Sequence, residues 1–215
     1  MFLSDDLHHL IQTFCKLPGL GPRSARRIAL HLVKNRAPLL LSFIESLLKV
    51  AHSHKECSEC GYIDARDPCF FCTSIHRDPA TLCVVAETGD VWAFEKAAFF
   101  KGRYHVLGGL ISAFQGKRPE DLSIESLALR LTPIVREVIL AMDGTLEGQT
   151  TLHYLTQKIE MWAPHIRISS LARGMPVGGE LDYMDQGTLM SAFIGRQQVQ
   201  LLTDAVRDWE QTSYT

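Results

Sequence analysis

Cys57-Ser58-Glu59-Cys60 and, eight residues further on, Cys69-Phe70-Phe71-Cys72 place two Cys-x-x-Cys pairs within residues 57–72. Each pair opens a tight knuckle, and together they offer four thiolates at the spacing that suits tetrahedral zinc, with Zn–S distances of about 2.3 Å. Gly61, Asp67 and Pro68 are turn residues, so the intervening loop can fold back and close the set. Four sulfur ligands leave no position for water or substrate, so such a centre is structural and its metal affinity becomes folding free energy, on the order of 10 kcal/mol. A pair of disulfides or a redox couple is the alternative chemistry for the same cysteines.

The cluster also divides the chain: the residues before it read as helical, and those after it alternate between strand and helix. With 215 residues, 46% hydrophobic and 21% charged, the chain is long enough for one large or two small globular domains, and global disorder is excluded. The start, Met1-Phe2-Leu3-Ser4-Asp5-Asp6, lacks the features of a secretory leader, and no apolar run nears the roughly 20 residues that span a bilayer. Six cysteines, four of them assigned to metal, fit a reducing cytoplasm, with Cys15 and Cys83 expected as buried thiols. A net charge of −2 does not advertise a nucleic-acid binder, so any such role must rest on local charge or on assembly.

Residues 5–15 carry a helical stripe (Leu7, Leu10, Ile11, Phe14) with Ser4 as N-cap. Leu17-Pro18-Gly19-Leu20-Gly21-Pro22-Arg23 then stops that helix and starts another, with Pro22 near its first position. Such a hairpin aims backbone N–H groups outward, where they attract phosphate, and Arg23 and Arg27 share a neighbouring face. Within residues 1–36, Lys16, Arg23, Arg26, Arg27, Lys34 and Arg36 are opposed only by Asp5 and Asp6. An ordinary helical connection with a solvated basic face is the other reading. A third helix over 37–53 leads to the cysteines, and His52 and His54 are expected to flank the centre without joining it.

Beyond residue 80, Thr81–Ala86, Arg103–Leu107, Val135–Met142 and Ile166–Ile168 read as strands, alternating with helices, as in a parallel sheet covered on both faces. At the carboxyl ends of these strands lie Glu87 and Asp90, then Asp143 and Glu147. Carboxylates there can hold Mg²⁺ for phosphoryl transfer, or Asp90 and Glu147 can simply stabilise first helical turns.

This half resembles a Toprim domain, the module of topoisomerases, primases and certain repair proteins. The resemblance places the family's metal-holding Glu at Ala86, with Glu87 one residue late, and its Asp-x-Asp pair at Asp143 and Thr145. Two of three positions depart from the catalytic pattern. A helix-hairpin-helix, a four-cysteine motif and a Toprim domain in this order resemble the bacterial RecR family of recombination mediators. Gly102-Arg103-Tyr104-His105-Val106-Leu107-Gly108-Gly109, Gly148-Gln149-Thr150-Thr151 and Gly174-Met175-Pro176-Val177-Gly178-Gly179-Glu180-Leu181 carry the same resemblance.

The resemblance implies an α/β architecture in four parts: a helix-hairpin-helix region (1–54), a C4 zinc finger (55–75), a Toprim domain (80–175) and a C-terminal oligomerisation segment (176–215). It further implies a non-enzymatic, cytoplasmic, nucleoid-associated protein that forms ring tetramers on DNA. Such a protein acts with RecO and RecF, independently of RecBC, to load RecA onto gapped single-stranded DNA. By position, Cys57, Cys60, Cys69 and Cys72 are then the Zn²⁺ ligands and Arg23 and Arg27 the DNA contacts. Glu87 and Asp90 fall in the acidic region used for partner binding.

Overall fold

A computed structural model describes residues 4–34, 38–172, 174–176 and 178–196. The chain divides into two compact units, one made of residues up to 58 with 63–70, the other of 59–62 with residues from 71 onward.

The first unit opens with α1 (Asp5–Cys15) and α2 (Pro22–Lys34), whose apolar stripes face each other. Phe14 from α1 and Ala25, Ala29 and Leu32 from α2 are buried, with Leu7, Leu10, Ile11 and Ile28 packed around them. Alanine at positions 25 and 29 lets the two backbones approach closely. Gly19 takes a left-handed conformation (φ 77°) in the connection, which closes with Leu20 N donating to Leu17 O at 3.2 Å. Pro22 is the first residue of α2, as the missing N–H and fixed φ of proline favour. α3 (Pro38–Ser53) carries Leu40, Leu41, Ile44, Leu47, Leu48 and Ala51 but buries none of its side chains, and Leu41 is 63% exposed. A two-residue antiparallel ladder, β1 (Lys55–Glu56) with β2 (Ile63–Asp64), follows.

The second unit is built on a four-stranded parallel sheet. Its strands are β3 (Asp78–Val85), β4 (Gly102–Val106), β5 (Glu137–Ala141) and β6 (Arg167–Ser170), in the order β4-β3-β5-β6. The second half of β3, from Leu82 to Val85, is fully buried, which explains its unbroken apolar run. β3 starts three residues earlier than its apolar run suggests, because Asp78 N donates to Lys101 O at 2.8 Å and extends the pairing. α5 (Thr88–Ala97), α6 (Ile124–Ala128) and α7 (Leu146–Trp162) lie in the crossovers. Leu82, Val84, Leu127, Val138, Leu140, Leu155 and Ile159 form the centre of the core. The chain leaves β3 towards β4 and returns past it to β5, so the carboxyl ends of β3 and β5 flank a topological switch point, where open α/β sheets form their crevice. Of the expected C-terminal segment, residue 177 and residues 197–215 lie outside the described residues. Its described part includes α8 (Gln186–Ile194), capped by the Asp185 carboxylate accepting from Thr188 N at 3.0 Å.

Cys83, in β3, is fully buried, and burial pushes its thiol up to about 12; Cys15 is half-buried. His105, in β4, is also fully buried. Burial, opposed by a hydrogen bond to Ser123 O (2.7 Å) and reinforced by the Arg130 charge, holds its imidazole down at about 4. The neutral ring donates from Nε2 to that carbonyl and turns the Nδ1 lone pair to Arg130 Nη1, 3.4 Å away. A histidine neutral in the fold but basic when unfolded makes the unfolded state bind more protons below its ordinary value near 6.5. Its stabilising effect is therefore complete above pH 6.5 and declines as pH falls towards 4. His105→Gln retains a donor for Ser123 O without the titration. Urea unfolding of the two proteins between pH 7.5 and 5 should give a steeper decline for wild type; parallel curves would contradict the assignment.

Candidate functional site

The four cysteine sulfurs of residues 57, 60, 69 and 72 lie within 4.8 Å of one another, and all four residues are buried. That is the donor set of a closed, four-coordinate thiolate centre, which could hold a metal ion such as Zn²⁺. Local polar contacts shape the loop that presents them. Asp67 Oδ1 accepts from Ser58 N at 2.9 Å and Ser58 Oγ at 2.7 Å, while Oδ2 faces Lys55 Nζ at 3.5 Å. These bonds, the Ser58 N–H foremost, hold the Asp67 carboxyl below the usual carboxylate range. Asp64 Oδ2 accepts from Phe70 N at 2.9 Å, and Cys69 N donates to Cys57 Sγ at 3.3 Å. His52 and His54 are exposed and outside the cluster, as expected.

In the second unit, Val106 N donates to Cys60 O at 2.7 Å. Gly61 follows at φ 73°, and a Cβ there would meet Val106 O at 2.7 Å, so only glycine fits. Phe71 stacks edge-on against Tyr62 and Tyr104, with centroids 5.0 and 5.3 Å away. Arg77 covers the Phe71 ring at 4.9 Å and forks onto the Glu95 carboxylate at 2.9 and 2.5 Å. Burial pushes the Glu95 carboxyl up, but the Arg77 and Tyr104 bonds outweigh it and hold the group below its ordinary value.

On α2, Arg23, Ser24, Arg26, Arg27 and Leu30 line a shallow hollow of about 360 Å³. The three arginines are exposed, and among the described residues none is ion-paired. The sequence reading counts Arg26 in the local positive charge but assigns DNA contact only to Arg23 and Arg27; the i, i+3, i+4 spacing places Arg26 beside them.

At the switch point, Ala86, Glu87, Asp90, Asp143, Thr145 and Glu147 line a cleft of about 460 Å³. Two of these residues cap helices, and a third is held by one of the caps. Asp90 Oδ2 accepts from Glu87 N at 2.8 Å at the start of α5. Thr145 is the N-cap of α7: its hydroxyl accepts from Gly148 N at 3.1 Å and donates to Asp143 Oδ1. A Cβ on Gly148 would lie 2.1 Å from that same Asp143 oxygen, so the glycine admits the carboxylate. Lys117, which sequence reasoning did not single out, brings its ammonium to the cleft and donates to Gly108 O. With threonine in place of the second aspartate and a lysine at the rim, the donor set does not fit the Mg²⁺ site of Toprim enzymes.

Family comparisons agree with these parts in order. The RecR helix-hairpin-helix model matches residues 7–50, the Toprim model residues 80–172 and the RecR C-terminal model residues 174–197. Relatives named Recombination protein RecR include that of Sphingopyxis alaskensis, 48% identical over 198 residues (92% of this chain, 99% of the relative). The Maricaulis maris protein is 50% identical over 195 residues, covering 90% of this chain and 96% of its own. The chain belongs to the RecR family. As a RecR it is a protein of DNA recombination and repair, with helix-hairpin-helix, four-cysteine and Toprim parts. No helix among the described residues is long and apolar enough to cross a membrane.

Arg77 joins the Phe71-Cys72 segment of this RecR to α5 and β4, and its side chain is 12% exposed against 30% for Glu95. Arg77→Met should lower unfolding stability by about 2 kcal/mol, less than the 3–5 of a fully buried pair because Glu95 reaches water. Arg77→Lys should restore less than half of it, since an ammonium cannot fork. An unchanged urea midpoint in Arg77→Met would contradict the role.

Proposed function

We propose that the protein is a non-enzymatic, DNA-binding recombination mediator whose four-cysteine centre holds one structural Zn²⁺. The observation that carries this reading is the exposed trio Arg23, Arg26 and Arg27 on the helix that follows the Gly19–Pro22 hairpin. A backbone grip of this kind neutralises phosphates without reading bases, as a mediator acting at any gap requires. One chain with a net charge of −2 makes a weak DNA clamp. Several copies of the hairpin around a common hole, as in a ring tetramer, would concentrate the positive field that the total conceals. In this reading the protein acts in the cytoplasm at the nucleoid, with RecO and RecF and independently of RecBC, to load RecA onto gapped single-stranded DNA. Glu87 and Asp90 lie in the acidic cleft that would receive a basic partner surface.

The enzymatic alternative, a Mg²⁺-dependent nuclease or topoisomerase, requires an acid where Thr145 stands, and here Asp90 caps α5 while Asp143 accepts from the Thr145 hydroxyl.

Binding to duplexes of unrelated sequence, measured across salt concentrations, tests the reading. Arg23→Ala with Arg27→Ala should weaken binding equally on all sequences and flatten the log K against log salt slope by about one unit per lost contact. An unchanged slope would contradict the phosphate role. Asp143→Asn should leave DNA intact and unnicked in Mg²⁺, as wild type does; nicking by wild type that the variant loses would favour the enzyme.

A further inference from the structure

We propose that Arg130 is a positioning residue of the four-cysteine centre, supplying the positive charge that compensates a buried metal tetrathiolate. The inference rests on the reading of that centre as a metal site. Arg130 lies 58 residues after Cys72 in sequence, yet its Nη2 donates to Cys72 Sγ at 3.9 Å. Two further contacts hold the guanidinium in place: Nη1 donates to Tyr104 O and faces the Nδ1 lone pair of His105 at 3.4 Å. His105 presents that lone pair because its Nε2–H is committed to Ser123 O. Among the described residues no carboxylate is ion-paired with Arg130, so the sulfur is the anionic group its charge meets.

A divalent ion bound by four thiolates carries two net negative charges, and here all four cysteines are buried. A buried anion is costly unless hydrogen bonds and opposite charge compensate it. Cys57 Sγ receives the neutral Cys69 N–H at 3.3 Å, whereas Cys72 Sγ receives a full cation. Outer partners of this kind orient ligands and tune the metal, and their loss costs about 10–100-fold in metal affinity. Nothing in the local Cys-x-x-Cys sequence announces the contact, which forms only when the segment after α6 packs beside β4.

The test uses the full-length protein loaded with zinc, and separately with Co²⁺. Arg130→Gln keeps a donor for Tyr104 O but no charge, and should release zinc to excess chromogenic chelator about ten times faster than wild type. Arg130→Lys keeps the charge but cannot reach both acceptors, and should fall between them, at least three-fold faster than wild type. In the Co²⁺ form, the sulfur-to-metal charge-transfer band should shift to lower energy in Arg130→Gln, because removing a cation raises the energy of the sulfur electrons. A purely structural role would not move that band. Release rates and band positions equal to wild type in folded Arg130→Gln would overturn the inference while leaving the metal reading intact. If Arg130→Gln does not fold, Arg130→Met, which fills similar space without charge, takes its place, and wild-type release with an unmoved band in that variant would overturn it equally. Wild type that binds neither zinc nor Co²⁺ would overturn both.

Discussion

Bringing four cysteine sulfurs within 4.8 Å of one another is the constraint on which the middle of this chain depends. Residues 55–73 contain two strands of two residues each and a single turn of helix, α4 (Phe70–Thr73), too little regular structure to be stable alone. What organises the segment is polar and coordinative: Asp67 gathers the Ser58 backbone and hydroxyl, Asp64 holds the start of α4, and the thiols converge. Apolar packing enters at Phe71, between Tyr62 and Tyr104 and beneath Arg77. A bound ion would supply the remaining free energy, as in other small modules folded around metal.

The same economy governs the cleft at the switch point. The sheet forms the crevice of an open α/β fold, and three of the polar residues there have structural roles. Asp90 caps α5, Thr145 caps α7, and Asp143 is held by the Thr145 hydroxyl in the space that Gly148 leaves open. One oxygen of Asp90 and one of Asp143 already accept from N–H or O–H donors, which makes these two carboxylates poorer ligands for a divalent ion. It remains an acidic surface, which suits the proposed reception of a partner protein.

Much of this was legible in the sequence because the signals were local. Proline and glycine at 18–22 marked the hairpin, the apolar runs marked β3 and β5, and paired Cys-x-x-Cys spacing marked the centre. The missed features were of two kinds. Arg77, Lys117 and Arg130 act on atoms brought near only by tertiary packing, and a charged side chain in a loop carries no sign of its destination. α3 is a different case: it carries Leu40, Leu41, Ile44, Leu47 and Leu48, yet none of its side chains is buried in the single chain. Helical periodicity reports that a face is apolar, not what covers it.

The most direct test of the account is native mass spectrometry of the protein purified without added metal, before and after chelation. It predicts one zinc per chain with all four thiols deprotonated, and cooperative loss of protease resistance in residues 55–75 once the ion is removed. A folded, protease-resistant chain whose mass shows no metal and two disulfides among Cys57, Cys60, Cys69 and Cys72 would contradict it.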